Sequence, residues 1–156
     1  MQFSILIPTW NNLDFLKCCV ESIRKNSVEN HEILVYVNEG NDGSADWCKE
    51  DGLKFIHSEK NVGVCTSLNA LFQIATKDII CYANDDMYLC PNWDKPLIEE
   101  IEEIGHEKFY LSSTMVEPEE TGNKCVLAPF PYGKSPSEFD EQGLLKALSN
   151  AKKKDW

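Results

Sequence analysis

The chain has 156 residues, 42% hydrophobic and 26% charged, an ordinary globular composition that can bury one core. Its 26 acidic residues against 15 basic ones give a net charge of -11, which argues against duplex nucleic acid as a partner, since that needs a basic face. No run of about 18 apolar residues exists to span a membrane, and the opening MQFSILIPTW lacks the basic region of a signal peptide.

In chain order, FSILIP (3–8) reads as a buried strand. The stretch NNLDFLKCCVESIRKNS follows as a helix, with Leu13, Leu16, Cys19 or Val20, and Ile23 on one stripe and Asn11 or Asn12 as its cap. EILVYVN (32–38) is a second strand. Ser44 then caps a short helix that Gly52 ends, and LKFIH (53–57) is a third strand. Val64, Leu68, Leu71, Phe72 and Ala75 repeat at helical spacing before the fourth strand, DIICYA (78–83). Trp93, Leu97, Ile98, Ile101 and Ile104 form a further helix, opened by Pro91 and closed by Gly105.

Continuous apolar strands alternating with helices predict a doubly wound α/β fold, its mostly parallel sheet covered on both faces. Beyond residue 105 the pattern weakens. KFYLSS (108–113) and KCVLA (124–128) read as two strands joined by EPEETGN, and SEFDEQGLLKALSNAKKK as a last helix despite Gly143. A single domain over 1–156 is expected, with 1–104 and 105–156 as its two halves.

Seven cysteines, odd in number and without a C-x-x-C, sit mostly inside apolar patterns and read as small hydrophobes. Reduced thiols and the absent signal region point to the cytoplasm, with peripheral association at a membrane left open.

In open α/β sheets ligands bind beyond the carboxyl ends of the strands. Here those ends read PTWNN, NEGNDGS, SEKNVG and NDDMY. Neither G-x-G-x-x-G nor the P-loop pattern occurs. Asp85 and Asp86 stand together after the fourth strand. Two such charges about 4 Å apart repel by on the order of 4 kcal/mol at an effective dielectric near 20. Either they cap the turn before Pro91, or they share a hard divalent ion, Mg²⁺ or Mn²⁺, with a more highly charged diphosphate.

ILIPTWNN, EILVYVNEGNDGS, NVGVCTSLN and NDDMYLCPNW, in this order and at this spacing, resemble segments of the family 2 glycosyltransferases, over residues 3 to about 104. The resemblance implies a GT-A (Rossmann-like) fold and an inverting, metal-dependent transfer of sugar from a nucleoside-diphosphate sugar to an acceptor hydroxyl, on a glycan or a lipid-linked molecule. It implies that Pro8, Thr9 and Trp10 lie against base and ribose, although Trp10 also reads as a rim or core aromatic. It places Glu39 where an acid accepts from the base, Asn61 and Asn69 near the nucleotide, Asp85 on the ribose or metal, and Asp86 on the metal.

The sequence departs from the family at Asn38, where an Asp is common, at Asn84, the first position of the D-x-D region, and at Leu68, where many relatives carry an Arg that Lys60 would have to replace. The family's acceptor half also continues further, so the resemblance implies either a piece truncated from a longer enzyme or a short natural variant. The late acids Glu138, Asp140, Glu141 and Asp155 have no recognisable catalytic context, and no general base is assigned. A module that holds the donor without turning it over is the alternative. A sugar nucleotidyltransferase is disfavoured, because PTWNN has neither Gly nor Arg.

Overall fold

The computed structural model describes residues 1–120, 122 and 126–150. It divides into two compact units, 1–98 and 99–156. The first holds strands β1 (Phe3–Trp10), β2 (Glu32–Asn38), β3 (Lys54–Ser58) and β4 (Ile79–Tyr82), alternating with helices α1 (Leu13–Asn26), α2 (Ser44–Glu50) and α3 (Val64–Phe72). All neighbouring strands are parallel, in the order β3-β2-β1-β4. The chain moves outward from β1 to β3, then crosses back to β4 on the other side of β1. The order therefore reverses between β1 and β4, where such a sheet opens a crevice.

The two central strands match the expected burial. Ile5, Ile7, Leu34, Val35 and Val37 are fully buried. On one face Leu6, Leu34, Tyr36 and Leu71 form a cluster joined by Ile56, Leu68, Ala70, Ile74 and Ala75. The edge strands depart from it. Ile80 and Tyr82 of β4 are 37% and 50% exposed, since an edge strand is covered from one side only. In α3 the sheet-facing residues are Ser67 and Leu71, while Val64 and Phe72 are exposed, so the apolar stripe read from spacing is wider than the buried one.

Proline explains where the crevice begins. The Leu6 carbonyl accepts from Ala83 N–H at 3.2 Å, so Leu6 faces β4. Backbone groups alternate sides along a strand, and Pro8 is the next residue turned that way but has no N–H to give. The β1–β4 register accordingly stops at Leu6↔Tyr82, whereas the β1–β2 register runs on to Trp10↔Asn38.

Helix α4 (Asp94–Ile104) runs across the boundary between the units and ends at Gly105, as its sequence predicts. In the second unit the predicted strand at 108–113 is irregular: Tyr110 is 92% exposed. Strands β5 (Met115–Val116) and β6 (Val126–Leu127) pair in parallel instead, so their link is a crossover and not a hairpin. Lys124 and Cys125, read as the start of that last strand, lie outside the described residues. Helix α5 (Glu141–Asn150) forms despite Gly143 because Asp140 caps it, its Oδ1 accepting the Gly143 N–H at 2.9 Å. A Cβ at Gly143 would fall 2.2 Å from Asp140 Oδ2, so a larger residue there would make that carboxylate shift. The tail from residue 151, including Asp155, lies outside the described residues.

Candidate functional site

The carboxyl ends of β1, β2 and β4 bring most of the predicted site residues together. Pro8 and Thr9 are buried at the end of β1, and Trp10 is 56% exposed just beyond them. Thr9 Oγ1 donates to Asp85 Oδ2 at 2.6 Å, which joins β1 to the β4 turn across the crevice. Asp85 is therefore oriented in part by a side chain 76 residues away, while its carboxylate also meets its own backbone N–H.

Its electrostatics are unfavourable as they stand. Burial raises the Asp85 pKa, hydrogen bonds from Thr9 and Asn12 oppose this, and the neighbouring Asp86 charge adds to the rise. Tyr82 is raised by burial and then by both aspartates. Cys19 is pushed to about 12 by burial first, with Asp85 and Asp86 contributing. Burial leads all three shifts, and the aspartate charges at the end of β4 add to each. Asp86 itself is exposed.

Among the described residues no group of three or more His, Cys, Asp and Glu side chains comes together to hold a metal. Two adjacent carboxylates are nevertheless a fitting donor set for Mg²⁺ or Mn²⁺. Mg²⁺ in particular takes one or two carboxylates and draws its remaining oxygens from phosphate and water.

The end of β2 forms a second corner. Glu39 adopts a left-handed conformation, φ 62°, rare outside glycine. It is held from both sides: its N–H donates to the Ser58 carbonyl at 2.8 Å, and its carbonyl accepts from His57 Nε2 at 2.8 Å. Gly40 follows at φ 73°, where a Cβ would lie 2.9 Å from Val37 Cγ1. The Glu39 carboxylate accepts Trp10 Nε1–H at 2.9 Å and Asn11 Nδ2–H at 3.0 Å, both on Oε2. These bonds, Trp10 first, together with the nearby Asn61 N–H, hold its pKa below the usual value against the opposing effect of burial.

Asn61 sits in the loop after β3, its Oδ1 accepting Gly63 N–H at 2.9 Å. Asn69 lies apart, exposed on α3 while Ser67 and Leu71 take the buried face. Leu68, at the position of the family's Arg, packs into the core, and Lys60 is exposed in the loop after β3.

Several residues have structural roles here that the sequence did not assign. Asn38 is a buried staple: Nδ2 donates to the Thr9 carbonyl at 3.1 Å and to Ser67 Oγ at 3.2 Å, and Oδ1 accepts Val62 N–H at 2.9 Å. Asp42 accepts Leu13 N–H at 2.7 Å and both Ser44 N–H and Oγ–H, so it caps α1 and α2 together. Neither Asn12 nor Gly43, the residues before those helices, makes a side-chain cap, and Ser44 is the first residue of its helix and not its cap. His57 positions Glu39 through the Glu39 backbone carbonyl. Pairings between loops leave no trace in local sequence, but the Asn-rich strand ends were the available hint.

The sequence profile described as glycosyl transferase family 2 matches residues 4–146. Glycosyltransferase GlyG of Streptococcus pneumoniae is 24% identical over 105 residues, 64% of this chain and 35% of that protein. EpsH of Bacillus subtilis, to which glycosyltransferase activity is assigned provisionally, is 28% identical over 104 residues, 61% of this chain and 29% of that protein. The chain thus spans about a third of the length of these relatives. Among solved structures, the mannosyltransferase PcManGT from Pyrobaculum calidifontis, in complex with GDP-Man and Mn²⁺, matches with a TM-score of 0.61 at 18% identity, over 74% of this chain and 36% of that one. S. aureus TarS 1–349 in complex with UDP-GlcNAc matches with a TM-score of 0.57 at 17% identity, over 74% of this chain and 38% of that one. The parallel sheet with flanking helices is therefore the GT-A fold, and this chain belongs to glycosyl transferase family 2.

Proposed function

We propose that the chain binds a nucleoside-diphosphate sugar at the β1–β4 crevice and serves its transfer, with inversion, to an acceptor hydroxyl on a glycan or lipid-linked molecule. The observation that carries this reading is the aspartate pair at the switch in strand order, where burial and mutual repulsion leave a negative locus that a divalent cation would relieve. Membership of family 2 supports the reaction class. The solved relatives carry GDP-Man with Mn²⁺ and UDP-GlcNAc, which supports a donor of the same chemistry here.

In this reading Asp86, exposed beside the crevice, holds Mn²⁺ or Mg²⁺. Asp85, fixed by Thr9 and Asn12, contributes a second oxygen or meets the ribose. The ion would supply Lewis-acid stabilisation of the leaving nucleotide when bound. Pro8 and Thr9 line the nucleotide, and Trp10, Glu39 and Asn61 face the base, with Asn69 further along α3. The acceptor oxygen bonds to the anomeric carbon as the bond to the diphosphate breaks, and its proton passes to a base that no described residue is assigned to be.

No helix among the described residues is long and apolar enough to cross a membrane. Cys48, pushed to about 12, and Cys81, pushed to about 11, both by burial, act as packing groups, which favours a reducing cytoplasmic setting.

Calorimetry with UDP and GDP, each with and without Mn²⁺, tests the site. Binding is expected to require the metal and to be lost in Asp86→Ala; metal-dependent binding that survives the substitution sinks the proposal. Release or transfer of sugar by this chain would separate a working transferase from a module that only holds the donor.

A further inference from the structure

We infer that the free edge of β4 is a pairing surface for a second copy of this chain, the two strands running antiparallel about Cys81.

Among the described residues β4 pairs only with β1, so its other edge carries unmet backbone groups. Which residues face outward follows from the ladder. Ala83 N–H donates to the Leu6 carbonyl, so Ala83, Cys81 and Ile79 turn their backbone groups toward β1. Ile80 and Tyr82 turn theirs away. The same two residues expose their side chains, on the sheet face of Ser4 and Leu6, where α3 packs chiefly against β1, β2 and β3. The strand itself, IICY, carries no charge, proline or glycine to discourage pairing.

The outward groups select one register. In an antiparallel pair, residues that point at the partner exchange both bonds with the residue opposite. Setting Ile80 opposite Tyr82 of the second copy, and Tyr82 opposite its Ile80, uses every outward N–H and C=O of β4. A shifted register leaves half of that edge to residues outside the strand. The same register lays each exposed Ile80 beside an exposed Tyr82, a favourable aliphatic–aromatic cross-strand pair. Carried outward, it sets Asp78 against Asn84 and Lys77 against Asp85. The basic end of one strand thus meets the acidic end of the other, and no like charges oppose. This complementarity favours a second copy over an unrelated strand. The net charge of -11 on each copy repels at long range, but salt screens it beyond about 8 Å. Two four-residue strands make a small contact, so the pair is weak and transient.

Cys81 reports the register. It falls opposite Cys81 of the second copy at a non-hydrogen-bonded pair, where Cα atoms lie about 4.5 Å apart, within disulfide reach. Diamide should therefore join two chains there, each thiol giving one proton and one electron to the reagent. Cys65→Ser removes an exposed thiol that could cross-link by chance.

The test is sedimentation equilibrium of the 156-residue chain, without nucleotide or metal. Concentrations from about 10 μM to about 1 mM span a weak pair. A reversible dimer is expected, weakened roughly tenfold or more by Ile80→Lys, the scale of one buried aliphatic side chain. Lys77→Glu, outside the strand, should weaken it too and keeps the test if Ile80→Lys fails to fold. Diamide should trap the dimer in Cys65→Ser and not once Cys81→Ser is added. A chain that stays monomeric throughout overturns the proposal. So does a dimer that both charge substitutions leave intact, or that diamide does not trap through Cys81. Ile80 and Tyr82 amides protected from hydrogen exchange in the dilute monomer also overturn it, since the chain would then cover its own edge. With no ligand present, each of these failures leaves the donor-binding reading standing.

Discussion

Asn38 stands where the family commonly has an aspartate, and its surroundings explain the amide. Two of the groups it meets, the Thr9 carbonyl and Ser67 Oγ, need a donor, and it is 3% exposed. Ser67 already spends its own proton on the Gly63 carbonyl at 2.9 Å. A carboxylate there would face the Thr9 carbonyl without a proton, in a site that water does not reach. Asn38→Asp should cost about 2–4 kcal/mol, read as a lower urea midpoint at pH 7 with an unchanged slope. Because Asn38 also fixes the Thr9 carbonyl, the loss should be accompanied by weaker nucleotide binding. The sequence exposed the substitution but not its reason, since the groups that require the amide come from β1 and α3.

At the scale of elements, the two helix starts nearest the site depend on one side chain. Asp42 accepts the first N–H of α1, 29 residues upstream, and caps α2 two residues on. Burial alone would raise its pKa, but the bonds from Ser44 and Leu13 prevail and hold it low. A single cap is worth about 1 kcal/mol, and this one serves two helices, so Asp42→Ala should cost about 1–2 kcal/mol in chemical denaturation. A loss below a few tenths would show that water replaces it at both ends. Helix positions were legible because α1 keeps the 3.6-residue period: Leu16, Cys19, Val20 and Ile23 are all buried. The caps were not, because the strongest candidate sat in another loop.

For the whole first unit, the end of the sheet away from the site is tied by Asp94. It accepts Val28 N–H at 2.9 Å, Glu29 N–H at 3.0 Å and His31 Nε2–H at 2.9 Å, while His31 Nδ1 accepts Phe3 N–H at 3.0 Å. The imidazole, stacked on Phe3 with ring centroids 4.7 Å apart, thus links β1 to the start of α4. Burial would raise the Asp94 pKa, yet the bonds from Val28, Glu29 and His31 leave it lowered. Glu32 and Asp42 are lowered likewise, against burial, by their own donors. A lowered carboxylate favours the folded state above its unfolded value and loses that contribution as pH falls through the folded one. Thermal stability should therefore hold from neutral pH to about 5 and drop below about 4, near and under the ordinary carboxylate values. Asp94→Asn should be less stable at pH 7 and lose less on acidification; an equal acid slope in the variant would remove Asp94 from this account.

The sequence by itself determined the order of strands and helices, the parallel sheet and the family, because apolar periodicity and strand-end motifs are local and survive without tertiary context. It also placed Asp85 and Asp86 together, since they are neighbours in the chain. Only the tertiary structure decided that Pro8 ends the β1–β4 ladder at the crevice, that Thr9 reaches Asp85, and that Trp10 and Asn11 share a Glu39 oxygen. It alone left 108–113 irregular, although that segment has a strand's composition. A hydrogen bond or a ladder needs its second partner, and in each of these cases the partner, or its lack, belongs to a segment remote in the chain.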